Sequence, residues 1–171
     1  MPAKLCSCFL FCLCLSHPAM ADLRVQFVES APKDRFVFEN KSTCTLSSLR
    51  IQIDLASSAG KLIFDTTSQG AGVEVYQPFE VRTGKIVLNN PVRDGDNQLQ
   101  IQIARLASGE QASFTIDVDD TLTRSVLGNI RVAGSEIEYG TVNLYAGTPK
   151  PVSAQFSEAG IATLAVAECT G

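Results

Sequence analysis

The 171-residue sequence contains no tryptophan and one histidine, His17, which lies in an N-terminal stretch of leader type. Histidine is the commonest general base and metal ligand, and tryptophan offers the strongest aromatic surface for a cation or a sugar. Without that leader the chain has neither residue. A serine or cysteine hydrolase would therefore lack its base, which argues against both classes.

Long apolar runs are also missing. The longest extends from Leu5 to Leu15, about eleven residues, whereas a membrane-spanning helix needs roughly twenty. This run follows one cation, Lys4, and precedes Ala19-Met20-Ala21, which is the layout of a secretory signal peptide. We expect residues 1–21 to be removed and the product to be secreted or periplasmic, with no stable membrane insertion. Four cysteines in this stretch leave lipid attachment as an alternative.

Positive charge is scarce. Without Lys4 the chain has 13 Lys and Arg against 18 Asp and Glu, a net charge of −5. Nucleic acids and anionic membranes are bound through clustered cations. The sequence therefore predicts no nucleic-acid partner.

Two cysteines remain after the leader, Cys44 and Cys169. In an exported protein an even pair most simply forms a disulfide, and we expect one here. Two separate buried thiols are the alternative.

Apolar residues recur at every second position, which is typical of strands with one buried face. In 49–55, for example, Leu49, Ile51 and Ile53 alternate with polar residues, and no window of twelve residues shows a helical stripe. The predicted strands are 23–28, 35–39, 49–55, 61–64, 73–76, 79–82, 85–88, 99–106, 113–119, 129–132, 136–145, 152–156 and 161–167. Many short strands separated by turns predict one all-β domain over 22–171, an antiparallel β-sandwich of immunoglobulin-like or jelly-roll type.

Acidic residues cluster at both ends of 94–121, a stretch that we interpret as a hairpin turning at Ser108-Gly109. Such a hairpin would bring its outer ends together, and calcium binds through several oxygen ligands. The predicted ligands are Asp94, Asp96, Asn97, Asp117, Asp119 and Asp120. Neither segment has the spacing of an EF-hand. Turn acids on a solvated face are the simpler alternative, and the sequence favours it. Asp54 would contribute only if its strand lay beside 114–118.

Three other motifs give weaker evidence of function. Asp117 and Asp119 share a strand face, so they could act as the paired carboxylates of a glycosidase. However, no tryptophan is present on which a sugar ring could stack. Gly70-Ala71-Gly72 is predicted as a loop, because the third glycine of a dinucleotide site is missing. Asn40-Lys41-Ser42 matches a glycosylation sequon. We assign no catalytic residue, and calcium is the only cofactor suggested.

Several runs of the chain resemble a group of small exported bacterial proteins labelled "aggregation factor core". They are ADLRVQFVESAPKDRFVFEN, IDLASSAGKLIFDT, GAGVEVYQPFEV, DGDNQLQIQIARL, GEQASFTIDVDDT and VAGSEIEYGTV. The resemblance covers nearly all of 22–171 and implies adhesion or matrix association. We therefore expect a non-enzymatic exported binding module with a protein, matrix or glycan partner. A carboxylate-dependent hydrolase and a passive structural subunit of an envelope assembly are the alternatives.

Overall fold

The computed structural model describes residues 21–73, 75–125, 127–128, 131–145 and 150–166. Within these ranges the chain forms eleven strands and one 3-10 helix. They are β1 (Ala21–Val28), β2 (Asp34–Asn40), β3 (Leu46–Asp54), β4 (Ile63–Asp65), β5 (Glu80–Thr83), β6 (Ile86–Leu88), β7 (Gln98–Leu106), β8 (Gln111–Asp119), the 3-10 helix (Gly134–Ile137), β9 (Thr141–Tyr145), β10 (Val152–Gln155) and β11 (Ile161–Val166).

The strands form two sheets that pack face to face. One sheet has the order β11-β1-β2-β8-β4, with β5 also paired to β8, and the other has the order β10-β9-β3-β7-β6. We call them the six-stranded and the five-stranded sheet. Every pairing among the described residues is antiparallel. The predicted all-β sandwich is thus confirmed. No helix within the described ranges is long and apolar enough to span a membrane.

The core between the sheets follows from the alternation in the sequence. The inward residues of β3 and β7, among them Ile51, Ile53 and Ile101, are fully buried. They belong to one apolar cluster with the aromatic side chains of the six-stranded sheet, where the ring centroids of Phe36 and Phe114 lie 5.2 Å apart. Burial of such side chains is the main favourable term in folding.

Strand β8 is buried on both faces, as is the short strand β4. Its inward residues Phe114, Ile116 and Val118 are fully buried, yet the outward Asp117 and Asp119 are buried as well. A strand with one solvated face would leave those acids in water. Another segment of the chain must therefore cover the outer face of the six-stranded sheet beside Asp117 and Asp119.

The predicted hairpin about Ser108-Gly109 is wrong. β7 pairs with β3 and β6 in the five-stranded sheet, whereas β8 pairs with β2, β4 and β5 in the six-stranded sheet. The connection 107–110 therefore crosses from one sheet to the other. In such a crossing both strands direct their apolar faces into the core, and the period-two pattern is the same as in a hairpin.

Three of the other predicted strands differ from the structure. Within 136–145 the chain first forms the 3-10 helix, and Tyr139 has a φ of 70° before β9 begins at Thr141. In 73–76, the described residues form no strand, and Glu74 lies outside the described residues. In 129–132, Arg131 and Val132 form no strand, and the first two residues lie outside the described ranges.

The sequon at Asn40 has a structural role. Asn40 is fully buried, and its Nδ2 donates to the backbone oxygens of Cys44 (2.7 Å) and Leu106 (2.9 Å). Its Oδ1 accepts from the backbone N–H and the hydroxyl of Ser42. Glycosylation would replace one hydrogen of Nδ2 and break one of these two bonds, and the fully buried side chain leaves no room for a sugar, so the folded protein offers no glycosylation site at Asn40.

Candidate metal centre

Strand pairing brings three acids together on the outer face of the six-stranded sheet. β4 runs antiparallel to the end of β8, with Asp65 opposite Asp117 and Ile63 opposite Asp119. Residues two apart on a strand share a face, so Asp117 and Asp119 point the same way. Directly paired side chains of neighbouring strands also share a face. Asp65, Asp117 and Asp119 therefore converge, and we call them the acid cluster.

The chain between β4 and β5 covers this cluster. We call residues 66–73 and 75–77 the covering segment. It leaves β4 after Asp65, and it returns at Gln77, whose backbone oxygen accepts from the N–H of Asp117 (3.1 Å). The backbone N–H of Val73 donates to Asp119 Oδ2 (2.8 Å). Backbone of this segment therefore holds one side of the cluster.

Two glycines let the covering segment approach the carboxyl groups. A Cβ on Gly72 would lie 2.2 Å from Asp65 Cγ, and a Cβ on Gly70 would lie 1.6 Å from Asp94 Oδ2. Neither distance is possible between non-bonded atoms. The predicted loop at Gly70-Ala71-Gly72 is thus a close backbone approach to carboxylates.

The three side chains of the cluster are almost fully enclosed. Asp65, Asp117 and Asp119 expose 0%, 4% and 1% of their surface. One ligand atom from each lies within 4.8 Å of the other two. Both oxygens of Asp65, Oδ2 of Asp117 and Oδ1 of Asp119 have no hydrogen-bond partner among the described residues. Burying such oxygens unpaired is costly, and a charged one more so.

Burial and neighbouring negative charges oppose the ionisation of all three acids in the cluster. Burial, followed by the neighbouring Asp94 and Asp119, raises the pKa of Asp65 to about 7. Burial and the charges of Asp119, Asp34 and Asp65 raise the pKa of Asp117 to about 8. Burial also raises the pKa of Asp119. The apo cluster must therefore take up protons near neutral pH, or a cation must replace them.

Asp34 adds a fourth buried carboxyl beside the cluster. Its Oδ2 accepts from the backbone N–H of Val118 (3.2 Å), and its Oδ1 accepts from that of Ser30 (3.0 Å). Burial raises the pKa of Asp34 to about 7, although both hydrogen bonds act in the opposite direction. Both of its oxygens already accept hydrogen bonds, and Asp34 is not among the three acids whose ligand atoms lie close together.

The structure brings together only part of the predicted ligand set. Asp117 and Asp119 belong to the cluster, and Asp94 lies beside it. Oδ1 of Asp94 accepts from the N–H of Thr66 (2.9 Å), and Oδ2 accepts from that of Ala71 (2.9 Å). Although burial raises the pKa of Asp94, these backbone bonds and the neighbouring carboxyl group of Asp65 hold it below its usual value. Asp94 therefore anchors the covering segment as a carboxylate.

Three other predicted residues are not among the clustered ligand atoms. Oδ2 of Asp96 accepts from the backbone N–H of Arg93 within its own turn (2.8 Å). Asn97 accepts from Leu55 through its backbone oxygen (2.8 Å). Asp120 is buried next to the cluster, and its Oδ1 accepts from the N–H of Leu122 (3.0 Å). Asp54, on the five-stranded sheet, is also outside the cluster.

Asp65 and Asp34 are not among the residues that the sequence predicted. Asp65 ends a three-residue strand that is buried throughout, and an acid that closes such a short apolar strand is a usable sign of a special environment. No local pattern could have indicated its pairing with Asp117, because that pairing is 52 positions distant in the chain.

Comparison of the chain with protein-family models, with curated proteins and with solved structures found no match in any of the three. The chemistry of the cluster therefore follows from its own atoms. Converging carboxylate oxygens without donors can share protons or ligate a hard cation, which prefers oxygen ligands.

Proposed function

We propose that this protein is a non-enzymatic binding module, exported from the cell, that holds a calcium ion in the acid cluster. The observation that carries the proposal is the set of buried, unpartnered oxygens on Asp65, Asp117 and Asp119. A divalent cation would satisfy these oxygens and offset the burial and the repulsion that together raise the pKa values of all three groups.

The ligand atoms lie close enough together to share one metal ion, and calcium is among the ions that fit. Two oxygens bound to one calcium ion at roughly 2.4 Å can lie no more than about 4.8 Å apart. The candidate atoms of the cluster fall within 4.8 Å of one another. Magnesium needs a tighter octahedral shell and gives up its water reluctantly, so calcium should bind better.

Direct binding tests this proposal. Titration of chelated, desalted protein with calcium should give one saturable site by isothermal calorimetry at pH 7.5. Asp119→Asn should weaken binding about tenfold or more, since it removes a charged ligand. Asp54→Asn is the matched control, because Asp54 lies on the other sheet, and it should bind as wild type does. Absence of any saturable heat in the wild-type protein would refute the site.

A binding role fits the geometry better than carboxylate catalysis. The acid cluster is enclosed beneath the covering segment, whereas a hydrolase needs its carboxyl groups open to substrate. Two surface cavities, of about 330 and 270 Å³, are lined by residues outside the cluster. The resemblance to the "aggregation factor core" group supports adhesion or matrix association as the biological setting.

Export and a disulfide complete the proposal. The leader pattern of 1–21 supports export; residues 1–20 lie outside the described residues. Cys169 lies outside them too, but strand pairing favours its union with Cys44. The end of β11 faces the start of β1, with Val166 opposite Ala21, and Lys41 donates its N–H to Asp22 O (2.9 Å). The last described strand thus ends near the turn that contains Cys44.

Two measurements on protein from its native compartment test these points. The intact mass should correspond to residues 22–171, and a retained leader or an added lipid would contradict cleavage at Ala21. Thiol titration of the denatured, unreduced chain should find no free thiol. Two free thiols would show that the Cys44–Cys169 bridge does not form.

A further inference from the structure

A second site lies on the same outer face, beside the start of β2, where Arg35 pairs with Thr115 two residues before Asp117. It is a cavity of about 330 Å³ beside the turn that joins β1 to β2. Its floor follows one row of paired residues across the sheet, in which Arg35 faces Val28 on one side and Thr115 on the other. Thr115 in turn faces Glu80 of β5. This cavity has the size of a small-molecule or short-peptide site.

The charges around the cavity are positive. Lys33, Arg35 and Arg82 line it, and Glu80 at its edge is the acid that pairs with two of them. Arg82 Nη1 lies 2.8 Å from Glu80 Oε1, and Lys33 Nζ contacts Glu80 Oε2. Three cations line the cavity against the one acid that pairs with them, while Asp34 between Lys33 and Arg35 is buried, and this excess of positive charge favours an anion.

Arg35 is the cation of the cavity whose side chain is free to bind a ligand. Its side chain has neither an ion pair nor a hydrogen bond within the described part of the chain, and it is exposed in the cavity. A guanidinium group binds carboxylates through two parallel hydrogen bonds. The hydroxyl-bearing Ser30 and Thr115 line the same cavity, and hydroxyl groups can add donors.

The remaining lining residues are apolar, and they indicate which groups flank the anion in the ligand. Val28, Ala31 and Pro32 border the cations. A free inorganic anion would leave this surface unused, whereas a carboxylate flanked by aliphatic groups would cover it. No aromatic side chain lines the cavity among the described residues, which disfavours a sugar ring as the flanking group.

We propose that this cavity binds a carboxylate group carried by a partly apolar peptide of a partner protein. Arg35 forms the central contact, while Lys33 and Arg82 exchange their contact with Glu80 for the ligand. The inference gives a ligand class to the binding module proposed above and rests on that proposal for its biological role. The cavity and the acid cluster share no residue.

The first test uses sodium acetate as the probe, with sodium chloride at matched ionic strength as the reference. Amide shifts of Ser30, Lys33, Arg35 and Thr115 should saturate with acetate alone. Arg35→Gln should weaken binding about tenfold or more, since charge-assisted hydrogen bonds are lost. Arg105→Gln is the matched control, because Arg105 is exposed on β7 of the other sheet. Shifts that fail to saturate, or that survive in Arg35→Gln, would overturn the proposal.

Glu80→Gln provides an independent variant that should gain binding. Glu80 competes with the ligand for Lys33 and Arg82, so its neutralisation should tighten acetate binding about three- to tenfold. Unchanged or weaker binding in this folded variant would contradict the assigned role of the cations.

The peptide class is tested with two capped tripeptides, acetyl-Leu-Glu-Leu-amide and its Gln analogue, and with trigalacturonate. The Glu peptide should bind more tightly than acetate, than the Gln peptide and than trigalacturonate. Equal or tighter binding of trigalacturonate would overturn the peptide assignment in favour of an acidic glycan. Each titration is run in calcium and in chelator, so that failure of the acid cluster and failure of the cavity are observed separately.

Discussion

The two sheets differ in how the polar side chains on their outer faces find hydrogen-bond partners. On the five-stranded sheet, polar side chains satisfy one another: Gln52 Nε2 donates to Gln98 Oε1 (3.1 Å), and Gln98 Nε2 donates to Asp54 Oδ2 (2.8 Å). Oδ1 of Asp54 accepts from the N–H of Ala56 (3.0 Å). On the six-stranded sheet, Asp119 receives one hydrogen bond and keeps Oδ1 without a donor.

Asp54 and Asp119 are the same residue type, and they differ in whether another segment of the chain covers them. Asp54 is partly exposed and has two donors, whereas Asp119 is 1% exposed beneath the covering segment. A carboxylate that is half in water needs no ion. A carboxylate that is enclosed with two others is a destabilising feature unless protons or a cation compensate it. Acidic residues therefore mark a site only where the fold also excludes water from them.

The pH dependence of stability should separate the two faces most strongly. Burial raises the pKa of Asp34 to about 7, so the folded state binds more protons than the unfolded chain. Its stabilising contribution is present below about pH 4 and is lost as the pH rises through 7. That gap corresponds to up to ~4 kcal/mol for this one group. The free energy of unfolding in chelator should therefore fall from pH 5 to pH 8.

Urea titrations at each pH measure this slope. Asp34→Asn should flatten it, while Asp54→Asn should leave it unchanged. Stability that increases from pH 5 to pH 8 in chelator would contradict the buried, protonated state of these acids.

The next effect concerns the close approach at Gly72. Gly72→Ala would place Cβ 2.2 Å from Asp65 Cγ, so the covering segment or β4 must move. We expect a loss of about 1 to 3 kcal/mol, the usual cost of overpacking, together with weaker calcium binding. Gly134→Ala is the matched control, because a Cβ there meets no atom within 4 Å. Equal melting temperatures for the two variants would show that the segment does not rest on the cluster.

A smaller effect has opposite signs on the two sheets. In chelator, Asp119→Asn should stabilise the protein by about 1 to 2 kcal/mol, because removing one acid relieves the repulsion within the cluster. Asp54→Asn should destabilise it by roughly 0.5 to 1 kcal/mol, since one of two satisfied acceptors becomes a donor. Chemical denaturation of both variants provides the comparison. Destabilisation by Asp119→Asn in chelator would argue against repulsion within the cluster.

Much of the fold follows from local pattern, and the site does not. Alternation in 49–55 and 99–106 predicts strands of the five-stranded sheet, because one face is apolar and the other polar. The same alternation in 113–119 conceals that the acids of β8 are covered, since cover depends on a segment about forty residues earlier in the chain. Asp65 was missed for the same reason.

Turn chemistry was the second limit. Ser108-Gly109 supplies a tight connection, and Gly109 has a φ of 72°, but such a turn serves a hairpin and a crossing between sheets equally well. The predicted meeting of 94–97 with 117–121 through a hairpin was therefore wrong in its route. Asp94 reaches the cluster because β4 lies between, where Gly95 donates its N–H to Phe64 O (2.9 Å).

The central claim is that a cation completes the acid cluster, and thermal unfolding tests it most directly. Scanning calorimetry at pH 7.5 compares the protein in chelator, in calcium, and in sodium chloride of matched ionic strength. Calcium at about a hundred times its dissociation constant should add ~2.7 kcal/mol, which raises the melting temperature by roughly 5 to 10 °C for a chain of this size. Magnesium should do less, and Asp119→Asn should lose most of the response. Equal melting temperatures in calcium and in matched sodium chloride would contradict the account.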